Sequence, residues 1–202
     1  MTDKRLLRGA RTRRIALDKA VDIASLESLE GLSFGRLAAE SGSSKAGLQT
    51  LFGSKESLQL ATVDHARMLF NDFVTRPALA KPRGVQRVRA LVERWIGYAE
   101  KPLFAGGCFQ AANLAEFDSR PGPVRDALVR TQRAWIDLLS TELGRAVAQG
   151  EIAELDRDLV AFQIDAVLRA ANTEFRLGHE GVGDWIRRSV EGLLVPRNRL
   201  RA

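Results

Sequence analysis

Two neighbouring side chains, Gln49 and Thr50, could bond to the edges of nucleic-acid bases. A glutamine amide can form a bidentate pair with adenine, and a threonine can bond to a base edge or place its methyl group against that of thymine. Ala46 and Gly47 precede them and are small enough to permit close approach to a major groove about 12 Å wide. This combination indicates contact with double-stranded DNA.

A helix-turn-helix would position these side chains. Apolar residues recur at helical spacing over residues 34–41, Ser33 precedes them where an N-cap is expected, and Gly42 follows where the helix must end. A short second helix would begin near residues 43–44 and end before Gly53.

The second predicted helix has two faces. Its apolar residues, which we expect to be buried, are Leu48, Leu51 and Phe52. Its outward residues, which we call the recognition face, are Lys45, Ala46, Gly47, Gln49 and Thr50. After this helix, Ser54 can cap another one, with Glu56 in the first turn, where the helix dipole favours a carboxylate.

The rest of the chain is also helical in pattern, with no period-two strand and no internal repeat. A first helix is expected over about residues 11–29, and prolines and a glycine interrupt the pattern between residues 77 and 84. We therefore predict an all-α fold of about nine helices. The expected divisions are a helix-turn-helix domain with a basic arm (1–53), a connecting helix and linker (54–83) and a larger helical domain (84–202).

Charge is concentrated at the start of this 202-residue chain, whose net charge is +6. Against Asp3 alone, the first fourteen residues contain six basic ones, namely Lys4, Arg5, Arg8, Arg11, Arg13 and Arg14. Such a cluster favours a polyanionic partner, nucleic acid before an anionic membrane, although a solvated tail can have the same composition. Cys108 has no second cysteine to pair with, and no apolar run is long enough to span a bilayer, so a cytoplasmic location is expected.

The N-terminal part of the chain resembles the DNA-binding domain of TetR/AcrR-family transcriptional regulators. The matching residues are Ile15, Ala20, Gly31, Ser33, Leu37, Ala38, Gly42, Ser44, Lys45, Leu48, Phe52, Lys55, Glu56 and Leu58. Two positions depart from the family pattern, since Gln49 stands where tyrosine is very common and Leu51 where histidine or tyrosine is common. The resemblance implies a homodimer that binds a palindromic operator, usually as a repressor, until a small effector releases it.

The residues expected to contact DNA follow from their chemistry together with this resemblance. Lys45 could bind guanine or a phosphate, while Ser33 and Lys55 lie at helix starts, where backbone phosphates are bound. Arginines of the arm would add phosphate or minor-groove contacts. The predicted set is Arg11, Arg14, Ser33, Ser43, Ser44, Lys45, Ala46, Gly47, Gln49, Thr50 and Lys55.

The resemblance also implies that the C-terminal domain dimerises through its last two helices. One helix reads too few base pairs to find a site alone, which favours a dimer on two half-sites. The interface residues expected are Val160, Ile164, Val167, Ala171, Phe175, Trp185, Ile186, Val190 and Leu193. Burial of the same residues within the chain's own core is the alternative.

A small effector is the other implied partner, and an apolar or aromatic one is favoured because no strong phosphate or metal constellation is present. The candidate pocket residues are Trp95, Tyr98, Phe104, Cys108, Phe109, Asn113, Phe117, Trp135, Phe162, Asn172 and Phe175. A plain hydrophobic core has the same composition. Asn113 and Asn172 are the most indicative, because a buried amide needs a partner.

An enzyme, or a small-molecule-binding protein without an operator, is the competing class. His65 and His179 fall in different segments, and the sequence has no glycine-rich phosphate loop, nucleophile motif or zinc spacing. We therefore expect no catalysis, no cofactor and no metal. Cys108 could sense oxidants, or it could be a small buried side chain beside an aromatic residue.

Overall fold

The computed structural model describes the backbone of residues 4–196 and the side chains of residues 9–196. Every regular element in this range is helical, which confirms the predicted all-α class. The α-helices are α1 (Lys4–Gly31), α2 (Phe34–Ser41), α3 (Lys45–Phe52), α4 (Lys55–Phe70), α5 (Arg76–Leu79), α6 (Val85–Glu100), α7 (Phe109–Phe117), α8 (Pro123–Ala148), α9 (Arg157–Arg176) and α10 (Val182–Leu193). A π-helical segment, Asn71–Thr75, joins α4 to α5, so these described elements form nine helices when that continuous run is counted once.

Serine side chains and glycines set the ends of the two helices of the helix-turn-helix, as the sequence predicts. The Ser33 hydroxyl oxygen accepts a hydrogen bond from the backbone N–H of Arg36 at 3.2 Å, which caps α2. The Ser44 hydroxyl oxygen caps α3 in the same way. Gly42 and Gly53 follow the two helices with φ of 65° and 77°, a backbone conformation that glycine adopts without steric cost. The predicted caps are thus confirmed.

The contacts divide the chain into two compact units that do not follow chain order. The N-terminal unit contains the residues up to Leu69 together with Phe104–Val129, and the C-terminal unit contains Phe70–Leu103 together with the residues from Arg130 onward. Helix α7 therefore belongs to the same unit as the helix-turn-helix. The predicted division into domains at residues 53 and 83 concerns segments of the sequence and remains a prediction.

Each unit has its own apolar core. Ala16, Ala20 and Leu48 are almost fully buried in the N-terminal unit, as are Leu91 and Leu139 in the C-terminal unit. Two residues that follow the apolar helical pattern of the sequence are largely exposed, namely Ile15 (41%) and Met68 (44%). Both lie on the side of their helix away from its buried face, which the alanines of α1 and the residues around Thr62 of α4 define.

A buried carboxylate holds the start of α6 in the C-terminal unit. Glu142 of α8 is fully buried and accepts hydrogen bonds from the Gly84 backbone N–H at 3.0 Å and the Arg87 guanidinium at 3.1 Å. It also pairs with Arg145. Burial alone would raise the pKa of Glu142, but the Gly84 N–H and the two guanidinium groups together hold that pKa below its ordinary value. The carboxylate is therefore charged and fully paired.

Candidate DNA-binding surface

The recognition face of α3 is exposed, as its pattern predicts. Lys45, Ala46, Gly47, Gln49 and Thr50 are all classed as exposed. The opposite side of the helix is anchored, since Leu48 is 1% and Phe52 is 6% exposed, while Leu51 is half-buried. The helix can therefore present its polar side without losing its packing.

The two side chains with base-reading potential differ in their hydrogen bonds. The Thr50 hydroxyl donates to the backbone carbonyl of Ala46 at 3.0 Å. The Gln49 amide makes no hydrogen bond to another described residue, so both its donor and its acceptor can meet a base edge.

The first turns of α1 lie beside α3 and enclose a cleft with it. Gly9 and Thr12 line one side, and the residues on the α3 side are Ser43, Ser44, Gly47, Leu48 and Leu51. The Arg13 guanidinium stacks over the Phe52 ring, 4.7 Å from its centre, and so ties α1 to the end of α3. Nothing in a basic run of sequence shows which arginine packs on a ring, so Arg13 could not be distinguished from the other arginines of the arm.

Arg11 and Arg14 of the arm are exposed and remain candidates for phosphate contact. The side chains of Lys4, Arg5 and Arg8 lie outside the described residues.

The two residues expected to bind phosphates have different surroundings. Ser33 is exposed, and because its oxygen accepts the capping bond, its own hydrogen stays available for a phosphate. The Lys55 ammonium instead donates to the Glu30 backbone carbonyl at 2.8 Å and lies 3.3 Å from the Glu30 carboxylate. Lys55 therefore also holds the end of α1, and one of its three N–H donors is left for DNA.

The end of α1 is interrupted close to this surface. Ser28 has φ 59° and ψ 169°, a conformation outside the helical region that is strained for a residue other than glycine. Within an unbroken helix, the Ala24 carbonyl and the Leu29 N–H would be satisfied by residues four positions away. The break leaves these two buried groups in need of other partners.

Asn113 of α7 supplies both partners. Its side-chain oxygen accepts from the Leu29 N–H at 2.7 Å, and its amide nitrogen donates to the carbonyls of Ala24 at 3.1 Å and Phe109 at 2.8 Å. The residue is completely buried. Asn113 was expected to be indicative of an effector pocket, but its amide is occupied in supporting the backbone of α1 and α7.

Two further contacts fix the same end of α1, and a third holds the middle of the helix. The Gln59 amide of α4 donates to the Leu29 carbonyl at 2.7 Å, and the Gly106 N–H donates to the Ser25 hydroxyl oxygen at 2.8 Å. A Cβ atom on Gly106 would lie 1.9 Å from the Ser25 carbonyl oxygen, so only glycine fits there. His65 adds a link between α4 and α1 through a 2.6 Å contact with Asp18. None of these partners has a local sequence signature.

The candidate pocket residues fall into both units. In the N-terminal unit, four of them are buried and pack as core, namely Phe104, Cys108, Phe109 and Phe117. In the C-terminal unit, Trp95 and Tyr98 are buried, while Trp135, Asn172 and Phe175 are half-buried. Phe162 is 54% exposed, so it lies on the surface of its unit.

Four rings form an aromatic cluster in the C-terminal unit. Phe70, where the π-helical segment begins, contacts Tyr98 and Trp135 edge-on, with ring centres 5.3 Å and 5.5 Å apart. Trp95 lies 6.5 Å from Tyr98. We call these four residues the aromatic cluster.

A buried carboxylate, Asp165 of α9, adjoins this cluster. It accepts a hydrogen bond from the Gln132 amide at 2.7 Å, pairs with the Arg169 guanidinium at 2.8 Å and also bonds to Trp135. Burial raises the pKa of Asp165 above its ordinary value, although these partners oppose the shift. A polar group beside aromatic rings is a common feature of ligand sites.

Most residues expected at the dimer interface are buried within the chain itself. Val160, Ile164, Ala171, Ile186 and Val190 are each at most 7% exposed, so they belong to the core of the C-terminal unit. Val167, Phe175 and Leu193 are half-buried, and Trp185 is 52% exposed. An apolar stripe in the sequence cannot show whether its own chain or a partner covers it.

Two other stripes of α9 and α10 are open instead. Their accessible residues recur at helical spacing and are mostly small or apolar. On α9 they are Phe162, Ala166, Ala170 and Thr173, followed by Leu177 at the helix end; on α10 they are Trp185, Ser189 and Gly192. We call these the outer stripes.

No helix within residues 4–196 combines the length and the apolar character needed to span a bilayer. Residues 4–196 likewise contain no group of three or more His, Cys, Asp or Glu side chains that could hold a metal ion.

Known proteins are similar to this chain in sequence and architecture. Residues 84–190, more than half of the chain, match the family model described as "Tetracyclin repressor-like, C-terminal domain". The structure of a TetR transcriptional regulator from Chloroflexus aurantiacus J-10-FL superposes with a TM-score of 0.81 at 24% identity, over 93% of this chain and 94% of that one. A TetR-family regulator from Streptomyces coelicolor gives 0.78 at 23% identity, over 92% and 95% of the two chains.

A third solved structure contains ligands. AibR, in complex with isovaleryl coenzyme A and operator DNA, superposes with a TM-score of 0.75 at 23% identity, over 92% of this chain and 98% of that one. Comparison with curated protein sequences gave no significant match.

Proposed function

Because the chain belongs to the TetR family of transcriptional regulators, we propose that it binds DNA sequence-specifically through the recognition face of α3. The exposed recognition face, backed by buried Leu48 and Phe52 and capped by Ser44, is the observation that carries the proposal. A helix with one small, polar, accessible side is the form that enters a major groove.

The contacts divide into two classes. Gln49 is proposed to pair with adenine and so to contribute to sequence choice. Lys45 contributes to sequence choice if it binds guanine and only to positioning if it binds a phosphate. Ser33, Lys55 and the arm arginines are proposed to bind backbone phosphates, which fixes the position of the helix but carries no sequence information. Ser43 and Ser44 border the cleft between α1 and α3. They are proposed to contact DNA beside the phosphate-binding residues.

A homodimer on a palindromic operator is the proposed assembly. A single recognition helix contacts only a few base pairs, so specificity requires two half-sites related by the dimer axis. We assign the dimer contact to the outer stripes of α9 and α10. Exposed Phe162 and Trp185 are large anchors of the kind that such contacts bury, and the small residues between them allow close helix approach.

An effector that releases the operator is proposed to bind the C-terminal unit, with repression as the family's usual mode. The aromatic cluster, with Asp165 beside Trp135, offers an apolar surface and one polar group. AibR, a protein of the same fold, is complexed with both an acyl coenzyme A and operator DNA. An apolar or aromatic effector fits the cluster best.

Selection of bound DNA from a random pool tests the proposal with the full-length protein. We expect an enriched palindrome whose half-sites lie about one helical turn, or a multiple of it, apart. Gln49→Ala should weaken binding to the selected site by about 1 to 3 kcal/mol and relax the base preference at one position of that site. A pool without any enriched sequence would contradict the proposal and favour a small-molecule-binding protein without an operator.

A further inference from the structure

The hydroxyl group of Thr50 is turned back onto its own helix. Its oxygen donates its single hydrogen to the Ala46 carbonyl at 3.0 Å, a bond that threonine often makes within helices. A hydroxyl engaged in this way cannot donate to the acceptor atoms of guanine, adenine or thymine. Thr50 is left with its methyl group and with the lone pairs of its oxygen.

Ala46 adds a second methyl group on the same face. Residues four apart are neighbours on a helix surface, and both Ala46 and Thr50 are exposed. Gly47 has no side chain that could stand beside them. The two side chains therefore form a small apolar site, which we call the methyl pair, within an otherwise polar recognition face.

We propose that the methyl pair binds the C5-methyl group of a thymine in each operator half-site, an inference that rests on the proposed function. Thymine is the one base of DNA whose major-groove edge carries a methyl group, and small apolar side chains contact it. Gln49, three residues after Ala46, lies on the adjacent part of the face and is placed to pair with an adenine next to that thymine.

The test compares thymine with uracil, which differs only in lacking the C5-methyl group. Each thymine of the selected operator half-site is replaced in turn by deoxyuridine, and the Kd of the full-length protein is measured for each duplex. We expect one position at which the affinity falls about fourfold per substituted half-site, which corresponds to about 0.8 kcal/mol for one buried carbon group. Uracil at the other positions should leave the Kd unchanged.

Two conservative variants separate the methyl group from the hydroxyl group. Thr50→Val keeps the methyl and removes the hydroxyl, so it should retain the fourfold penalty for uracil. Thr50→Ser keeps the hydroxyl and removes the methyl, so it should bind the thymine operator more weakly and discriminate less against uracil. Circular dichroism of both variants checks that the helices are intact.

The outcomes are distinct. An operator whose affinity is insensitive to uracil at every position would overturn the inference and leave the proposed function standing. Discrimination retained by Thr50→Ser and lost by Thr50→Val would also overturn it, because the discrimination would then depend on the hydroxyl group of residue 50 and not on its methyl group. A random pool that yields no enriched sequence would overturn the proposed function, and the inference with it.

Discussion

Leu29 has both of its backbone polar groups held by side-chain amides, one from Asn113 and the other from Gln59. A buried backbone group without a partner costs about 1 to 3 kcal/mol, so these amides offset the break at Ser28. A buried amide must have a partner, which is why Asn113 is expected to be indicative of an effector pocket. Two of its three partners instead lie 84 and 89 positions away in the chain, where no local pattern could identify them.

Gly106 offers a sharp test of how tightly this region is packed. Gly106→Ala would place a Cβ atom 1.9 Å from the Ser25 carbonyl oxygen, so backbone must move to accommodate it. We expect a loss of about 3 kcal/mol or more in the free energy of unfolding, measured in urea. Gly97→Ala is the control, since nothing lies within 4 Å of its added Cβ within α6. That control should be neutral or stabilising by about 0.5 to 1 kcal/mol, and equal effects of the two variants would show that the close approach is absent.

Lys55 should affect affinity rather than specificity. Lys55→Ala removes a phosphate contact, so we expect weaker binding on operator and random duplex alike. The slope of log K against log salt should become shallower by about 0.9 for each protomer bound. An unchanged slope would mean that Lys55 acts only through its bonds to Glu30. Lys55→Arg, which keeps the charge, is the matched variant.

At the level of elements, α9 and α10 each have a side within the core and a side exposed on the surface of the single chain. The five residues buried in the chain's own core were indistinguishable by sequence from interface residues, because hydrophobic periodicity reports burial but not what covers the residue. Exposure in the single chain separates the two sets. The capped ends of α2 and α3 were predictable for the opposite reason, since Ser33 and Ser44 bond to residues three positions away.

The outer stripes give a prediction about assembly. Trp185→Glu places a charge on an exposed position, so the fold should survive while the dimer dissociates, with loss of operator binding. Light scattering and the far-ultraviolet circular dichroism spectrum measure the two effects. Leu79→Glu is the control, because Leu79 is 40% exposed in the same unit but lies outside the stripes, and it should remain dimeric. If the Trp185→Glu variant remained a dimer, α10 would not be part of the interface.

The start of α6 should lose part of its stability in acid. The pKa of Glu142 is lower in the folded protein than in the unfolded chain, so the carboxylate stabilises the fold above its unfolded pKa and loses this effect as the pH falls through its folded pKa. Glu142→Gln should therefore cost about 3 kcal/mol near pH 7, and less near pH 3.5. Urea unfolding at both pH values measures the difference.

Asp165 provides an internal control with the opposite sign. Burial raises its pKa in the folded state, so its ionisation opposes folding as the pH rises through that pKa. Relative to the wild type, Asp165→Asn should gain stability as the pH increases, while Glu142→Gln loses it. Parallel trends in the two variants would contradict the assigned directions.

At the scale of the whole molecule, neither compact unit is a single continuous segment of the chain. The all-α class, the helix-turn-helix and the family were accessible from the sequence, because periodicity, caps and a short motif are local properties. The inclusion of Phe104–Val129 in the N-terminal unit was not, because it depends on contacts such as those of Asn113 and Gly106 with α1. The aromatic cluster likewise joins residues from α4, α6 and α8 that no motif connects.

The Asn113 contacts bear on how such regulators can be recombined to make new sensors. A hybrid joined near residue 84, where the family match begins, would unite a foreign DNA-binding module with this chain's α7. The incoming first helix would then have to break at the position equivalent to Ser28 and offer a carbonyl and an N–H with the spacing of Ala24 and Leu29. Modules that lack this break would leave the buried side-chain oxygen of Asn113 without a donor, since Leu29 supplies the donor here. Compatibility between exchangeable parts therefore depends on one interrupted turn of helix as well as on the junction.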